Sequence, residues 1–449
     1  MFRRLALATL LAFSASSLYA QASQSYDASL TGHWNADVNY LGTHLYNGLD
    51  LDQQGEKLTG KLTGDALEGS IEGSSFHFLV KDNDGATKQV KGDMQSGALH
   101  GEVIETDPNS PIHPLTYTFI ATRRPPRPTA PPRRHEFTPT VFYRQFFPFN
   151  QPVLTVNPGD TIHTTTVDAG GNDHDSVKRV LGGNPQTGPF YIESALPGDI
   201  LVVHIVRLRL NRDWALSDDD IVQRATDSNL AIKMKDGGKT VIWHLDLANG
   251  IASPAKPPQH LAHYTVPLRP MLGCIATAPG PAQAPPGTGD SGRYGGNMDF
   301  NEITEGATVY LPVSNPGALL YLGDAHAAQG DGEVCINGIE CPADVTLRFQ
   351  LHKRQALAGP LIESTAHQEI QAAEAWIVVE SGNDAVAAAR AATSRMIDLL
   401  VARWGFSDVH AYLLCSVAMN LRLSQVVNEP MYTVSAAVPK HVLPPGKFF

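Results

Sequence analysis

Between Thr122 and His135 the chain reads TRRPPRPTAPPRRH, five prolines and five arginines in fourteen residues. Proline fixes φ and has no amide hydrogen to donate, so this run can enter neither a helix interior nor the middle of a sheet. It reads as an extended, semi-rigid, solvated spacer. A chain of 449 residues is too long for one typical domain. The spacer, 122–135, divides it into a unit at 27–121 and a unit at 136–449.

Before the spacer, LDLDQQGEKLTGKLTGDALEGSIEGSSFHFLV alternates apolar and polar residues, with Gly60, Gly64, Gly69 and Gly73 as breaks. Period-two alternation with short polar breaks predicts half-buried strands joined by hairpins. Residues 27–121 therefore predict an antiparallel meander or small closed barrel, entered through TGHWNADV with Trp34. This unit carries no catalytic cluster, and ligand or partner binding is the role left open to it.

The first residues, MFRRLALATLLAFSASSLYAQAS, have a basic start, an apolar run over Leu5–Phe13 and small residues at Ala20 and Ala22. That pattern predicts a signal peptide at 1–22 and a periplasmic or secreted protein. No later stretch is apolar enough to predict a membrane span. The 45 acidic residues outnumber the 34 basic ones, for a net charge of −11. No basic block is long enough to follow a nucleic-acid backbone, so nucleic acid is excluded as a partner. Export permits disulfides. Cys335 and Cys341 are close enough in sequence to pair, whereas Cys274 and Cys415 sit in apolar runs and read as buried small hydrophobes.

After the spacer, Pro158-Gly159-Asp160 and Pro197-Gly198-Asp199 each turn the chain into a β-branched run. Near the end, NDAVAAARAATSRMIDLLVARWG has helical periodicity, with Asn383 or Asp384 to cap its start and Gly405 its end. Ser407 caps a second helix in SDVHAYLLCSVAMNLRLSQVV. The fold class is a β-rich α+β architecture with two late helices.

The segment YLGDAHAAQGDGEVCINGIE places Asp324, His326, Asp331, Glu333 and Glu340 among four glycines. Asp324 and His326 are two apart at the end of an apolar run, hence on one face if that run is a strand. Glycine turns would let Asp331 and Glu333 approach. Carboxylates with one imidazole suit zinc or another divalent cation. A second island, SGRYGGNMDFNEI, offers Asn297 and Asp299, with oxyanion donors from Asn297 or the Gly295–Gly296 amides. A third, TTTVDAGGNDHD, offers Asp168 at a strand end and an Asp-rich, calcium-like loop. His163, His204 and His244 lie in alternating runs and read as sheet histidines.

Five fragments, GPFYIESALPGDILVVHI, VPLRPMLGCIATAPG, RYGGNMDFNE, GDAHAAQGDGE and LRLSQVV, occur in this order and together resemble the acetamidase/formamidase family over about 140–440. The resemblance implies hydrolysis of the C–N bond of short linear amides to carboxylate and ammonia. It also implies a β-rich, homo-oligomeric protein with a bound divalent cation, and it places the family's polar set on Asp324, His326, Asp331, Glu333, Glu340, Asn297 and Asp299. Two departures stand out. The N-terminal unit and leader lie outside the family pattern, and Arg144-Gln145 stand where many relatives carry His-Asn.

The expected mechanism assigns Asp331, Glu333, Glu340 and Asn297 to catalysis, with Glu333 as general base. It gives His326, Asp324, Asp168 and Asp299 to the cation, which activates water. One competitor makes Cys274 a thiol nucleophile, although its apolar flanks disfavour a thiolate. The other is a non-enzymatic envelope protein that binds a cation or glycan.

Overall fold

The computed structural model describes residues 29–445 apart from 83–84, 127, 235–236, 258, 260–261, 281–282 and 366–372. The expected leader at 1–22 lies outside the described residues. Eight antiparallel strands, from Gly32–Tyr40 to Leu115–Arg123, pair in chain order, and the first closes on the last with Trp34 opposite Arg123. The alternation is literal: in Ser75–Lys81 the side chains of Phe76, Phe78 and Val80 point in and the residues between them point out. Each such buried side chain contributes roughly 1.5–3 kcal/mol. Trp34 is fully buried, donates from Nε1 to the Leu30 carbonyl at 3.0 Å, and lies under the Arg123 guanidinium. The remaining cavity among Ala36, Phe78, Val90 and Phe119 is only about 30 Å³, the share of a single water in the liquid. Among the described residues, side chains such as Trp34, Phe76, Leu49 and Leu99 fill the barrel interior as a core.

The spacer differs from the solvated run its composition predicts, because both ends are docked. At one end the Arg124 guanidinium is buried, 3.3 Å from Asp199 and donating to the Pro197 carbonyl. At the other, the Arg133 amide donates to Asp160 at 2.8 Å, and Arg134–Glu136 joins Thr161–Thr165 as a parallel edge strand. Buried arginine and backbone amides need acceptors, and the two Pro-Gly-Asp turns supply them.

The second unit is built on two sheets. One has nine strands, with Ile200–Leu210 and Ala343–His352 near its middle and Asn420–Gln425 at an edge. The other is centred on Leu320–His326, flanked by Gln186–Ile192 and Met271–Ala276. Leu201, Val203, Leu347 and Phe349 of the first sheet share one core with Phe190, Leu272, Ile275 and Leu322 of the second. Helices Ala385–Trp404 and Asp408–Ala418 cover the outer face near Ala375–Gly382 and Tyr432–Pro439. Asp384 and Ser407 cap them with side-chain acceptors, and Gly405 ends the first with φ 70°. The second helix stops at Ala418, and the residues after it form the edge strand. A small sheet of Trp214–Asp218, Thr240–Asp246, Ile251–Pro254 and Val266–Pro267 stands to one side. All four cysteines are free, Cys335 and Cys341 included. Among the described residues, no helix is long and apolar enough to cross a membrane.

Candidate active site

The strand Leu320–His326 is buried along its whole length, so any polar side chain on it must find a partner inside the protein. It brings His326 to the centre of four carboxylates. The imidazole Nε2 is 3.0 Å from Glu340 and 3.6 Å from Asp324, and Nδ1 is 3.8 Å from Glu333. Asp299 joins from the turn after Gly295–Asn297. Ligand atoms of Asp299, His326 and Glu333 lie within 4.8 Å of one another, and so do those of Asp324, His326 and Glu340. All five side chains are buried.

The approach requires unusual backbone. Asp299, Asp324 and Glu333 have φ of 40°, 55° and 45°, the left-handed region that costs a residue with a side chain about 1–3 kcal/mol. Gly273 makes the room, since a Cβ there would collide with the Asp299 carboxylate and lie 2.8 Å from Asp324 Oδ2. Gly338 does the same beneath His326, where a Cβ would lie 2.7 Å from Nδ1. Nearby amides hold the ligands in place. Asn297 donates to Asp299 at 2.9 Å and accepts from Asn184 at 2.7 Å. Asn428 also donates to Asp299, and Gln329 pairs with His326 Nδ1 at 2.8 Å while donating to the Asp299 carbonyl at 2.7 Å.

Electrostatics follow from crowding. Burial, then the Asp324 charge, pushes Asp299 well above the ordinary carboxylate range. Burial and Asp299 do the same to Glu333, and Glu340 is pushed up to about 7 by burial above all. For His326 burial favours the neutral ring, but Glu340 and Asp324 outweigh it and hold the imidazolium. So many acids crowded around one imidazolium favour a further cation, which would relieve the repulsion that raises them. Asp299 Oδ1, Glu333 Oε2, Glu340 Oε2 and His326 Nε2 are buried without an aligned hydrogen-bond partner. Buried carboxylate oxygens without aligned hydrogen-bond partners, gathered about one imidazole, fit a divalent cation.

Two expected members stand apart from these groups. Asp331 is 41 % exposed and bound by Arg422 at 2.6 and 2.7 Å, so its charge is spent on an ion pair. Asp168 is buried but accepts from Arg212 at 3.1 Å and from Asn172, which satisfies it locally. Asn297 has its oxygen and one amide hydrogen engaged by Asn184 and Asp299. Cys274 is fully buried, and burial together with Asp324 and Asp299 pushes its thiol well up, against a nucleophilic thiolate. Of the sheet histidines, His163 meets Glu136 and His204 meets Thr308. Arg144 donates to the Gly182 carbonyl, and neither it nor Gln145 belongs to either candidate ligand group. Gln329, Asn184, Asn428 and Gly273 are the residues that sequence reasoning missed. Gln329, three residues after His326, and Gly273, within VPLRPMLGCIATAPG, lay inside segments already singled out.

The two-sheet unit with this buried centre has the acetamidase/formamidase-like fold. Residues 282–444 match the family model described as Acetamidase/Formamidase family. The chain is 28 % identical to a recombinant predicted acetamidase/formamidase from Thermoanaerobacter tengcongensis, with a TM-score of 0.59 over 69 % of this chain and 97 % of that one. It is 29 % identical to an acetamidase from Yersinia enterocolitica, with a TM-score of 0.60 over 71 % of this chain and 95 % of that one. A Schizosaccharomyces pombe protein whose name proposes a formamidase is 30 % identical over 164 residues, which is 33 % of this chain and 40 % of that protein. The share of the chain outside the structural matches is of the size of the barrel and leader.

Proposed function

We propose that the second unit hydrolyses the C–N bond of linear amides to carboxylate and ammonia, with a divalent cation held by His326, Asp324, Glu340 and Asp299. The observation that carries this reading is the pair of buried groups that share His326, Asp299–His326–Glu333 and Asp324–His326–Glu340, with carboxylate oxygens of Asp299, Glu333 and Glu340 that lack an aligned hydrogen-bond partner. The likeness to acetamidases and formamidases supports the reaction class. A cation at such a centre supplies Lewis-acid polarisation and acidified water. Glu333 is the general base: burial and Asp299 raise its proton affinity above that of an ordinary carboxylate, which favours taking a proton from water and passing it to leaving ammonia. Gln329 fixes the His326 ring, and Asn297 and Asn428 aim Asp299. We further propose that the protein works outside the cytoplasm, after loss of residues 1–22.

Ammonia release from small amides by metal-analysed protein, with and without chelator, tests the reading. Release that stops on chelation and returns with metal is expected. Absence of release from every amide overturns it.

A further inference from the structure

Next to the buried centre lies a cleft of about 560 Å³, whose lining includes Glu333, Gln329 and Gly338. Gln329 and Gly338 are the same residues that pack on the His326 ring. The volume is within the roughly 300–1,000 Å³ of sites that enclose drug-sized molecules, and acetamide or formamide would leave most of it unfilled. Its walls are largely apolar. Trp243 and Val266 come from the small side sheet, and Val334 and Ile339 from the segment that carries Glu333 and Glu340. Trp243 is held in place: Nε1 donates to Ser217 at 2.7 Å and the ring tilts on Tyr264 at 6.2 Å. Val334, also in the lining, is 56 % exposed. A fixed aromatic ring and an exposed aliphatic side chain, in one cleft with the proposed base, suit an apolar group.

Charge narrows the choice. Asp331 is paired with Arg422, and Arg269, the one cation among the described lining residues, lies 3.2 Å from Glu302, which leaves Asp218 and Asp219 as the uncompensated charges of the lining. An anionic substrate would meet net repulsion there. Resting on the amidase reading above, we infer that the substrate is an uncharged amide with a sizeable apolar or aryl body, seated against Trp243 and Val334, and that its amide points toward Glu333. Short amides are then poor substrates that use only the inner end of the site.

Kinetics with phenylacetamide, acetamide and the anionic amide succinamate, on full-length metal-loaded protein, test this. Phenylacetamide should exceed both others in kcat/KM by roughly ten- to hundredfold, the range for apolar discrimination. The phenylacetamide-to-acetamide ratio should fall at least tenfold in Trp243→Ala. Because Trp243 has structural neighbours, Val334→Asp is the second variant; its site is exposed, and a charge there should lower the same ratio. Equal kcat/KM for all three amides, or a ratio unmoved by both substitutions, overturns the inference while the amidase reading stands. If no amide is hydrolysed, the amidase reading fails, and calorimetry decides the subsite alone. Phenylacetamide binding at least tenfold tighter than acetamide, and lost in both variants, supports the apolar subsite, and equal or absent binding refutes it.

Discussion

Asp160 and Asp199 occupy the same place in two Pro-Gly-Asp turns, and each closes its turn by accepting the amide of the residue three before it, Asn157 or Leu196, at 2.9 Å. Each also catches one end of the proline–arginine segment, Asp160 the Arg133 amide and Asp199 the Arg124 side chain. Asp199 additionally accepts from Lys353 and from the Arg354 amide, both at 2.8 Å. Asp199→Ala would leave the Arg124 and Lys353 cations without their carboxylate. The expected loss is roughly 3–5 kcal/mol, read as a lower urea midpoint. A midpoint equal to wild type would show that the turn does not hold the two units.

Asp160 gives a pH signature. Burial works to raise its pKa, but the Asn157 and Arg133 amides and the His135 ring outweigh that and hold it below the ordinary aspartate value. A depressed folded-state pKa stabilises the protein above the unfolded-state value, near 4, and the gain is lost as pH falls through the folded value. Asp160→Asn should therefore cost roughly 2 kcal/mol at about pH 7 and much less at about pH 3. Unfolding curves of both proteins at the two pH values check it; a gap that widens on acidification contradicts the sign.

Glu333→Gln keeps size and hydrogen-bonding shape but removes the base. Amide turnover should fall roughly 10²–10⁴-fold while elemental analysis shows metal retained. His326→Ala should instead lower metal content. If Glu333→Gln turns over amide at the wild-type rate, another group is the base.

Cys274 packs among Phe146, Tyr294 and Tyr321, so Cys274→Ala should keep near-normal turnover per folded molecule. Cys274→Ser should fold less stably by roughly 1–3 kcal/mol, because it buries a hydroxyl in apolar surroundings. Complete loss of turnover in well-folded, metal-loaded Cys274→Ala protein would promote the thiol mechanism.

The leader at 1–22 predicts cleavage after Ala22 and export. Intact mass of the protein recovered from the cell envelope fraction is the check; a mass that still includes those residues contradicts it.

Local signals were readable in the sequence and distant ones were not. The barrel strands announce themselves because period-two alternation is written within each strand, and Asp384, Gly405 and Ser407 mark helix ends within a residue or two of where they act. The candidate site was half legible for the same reason: Asp324, His326, Glu333 and Glu340 fall in one segment of seventeen residues. The ion pair of Asp331 was not legible, because its partner, Arg422, is 91 residues away. The pairing of Asp168 was hidden likewise, since Arg212 is 44 residues away. Asn428, 129 residues beyond Asp299, has no local feature that marks it. Spacing can show that acids are near one another, but not which of them a distant arginine has already neutralised.

The left-handed backbones at Asp299, Asp324 and Glu333 have a consequence for anyone randomising these positions. That conformation is open to glycine, tolerated by asparagine and aspartate, and strongly resisted by valine, isoleucine and threonine. A saturation library at the three codons would lose many members to poor folding before chemistry is asked of them, and the survivors would overstate how specific the reaction is. Asp299→Asn and Asp324→Asn are the changes that alter charge while leaving the chain its path. Their activities report on the carboxylates themselves, where an alanine scan would mix electrostatics with backbone strain.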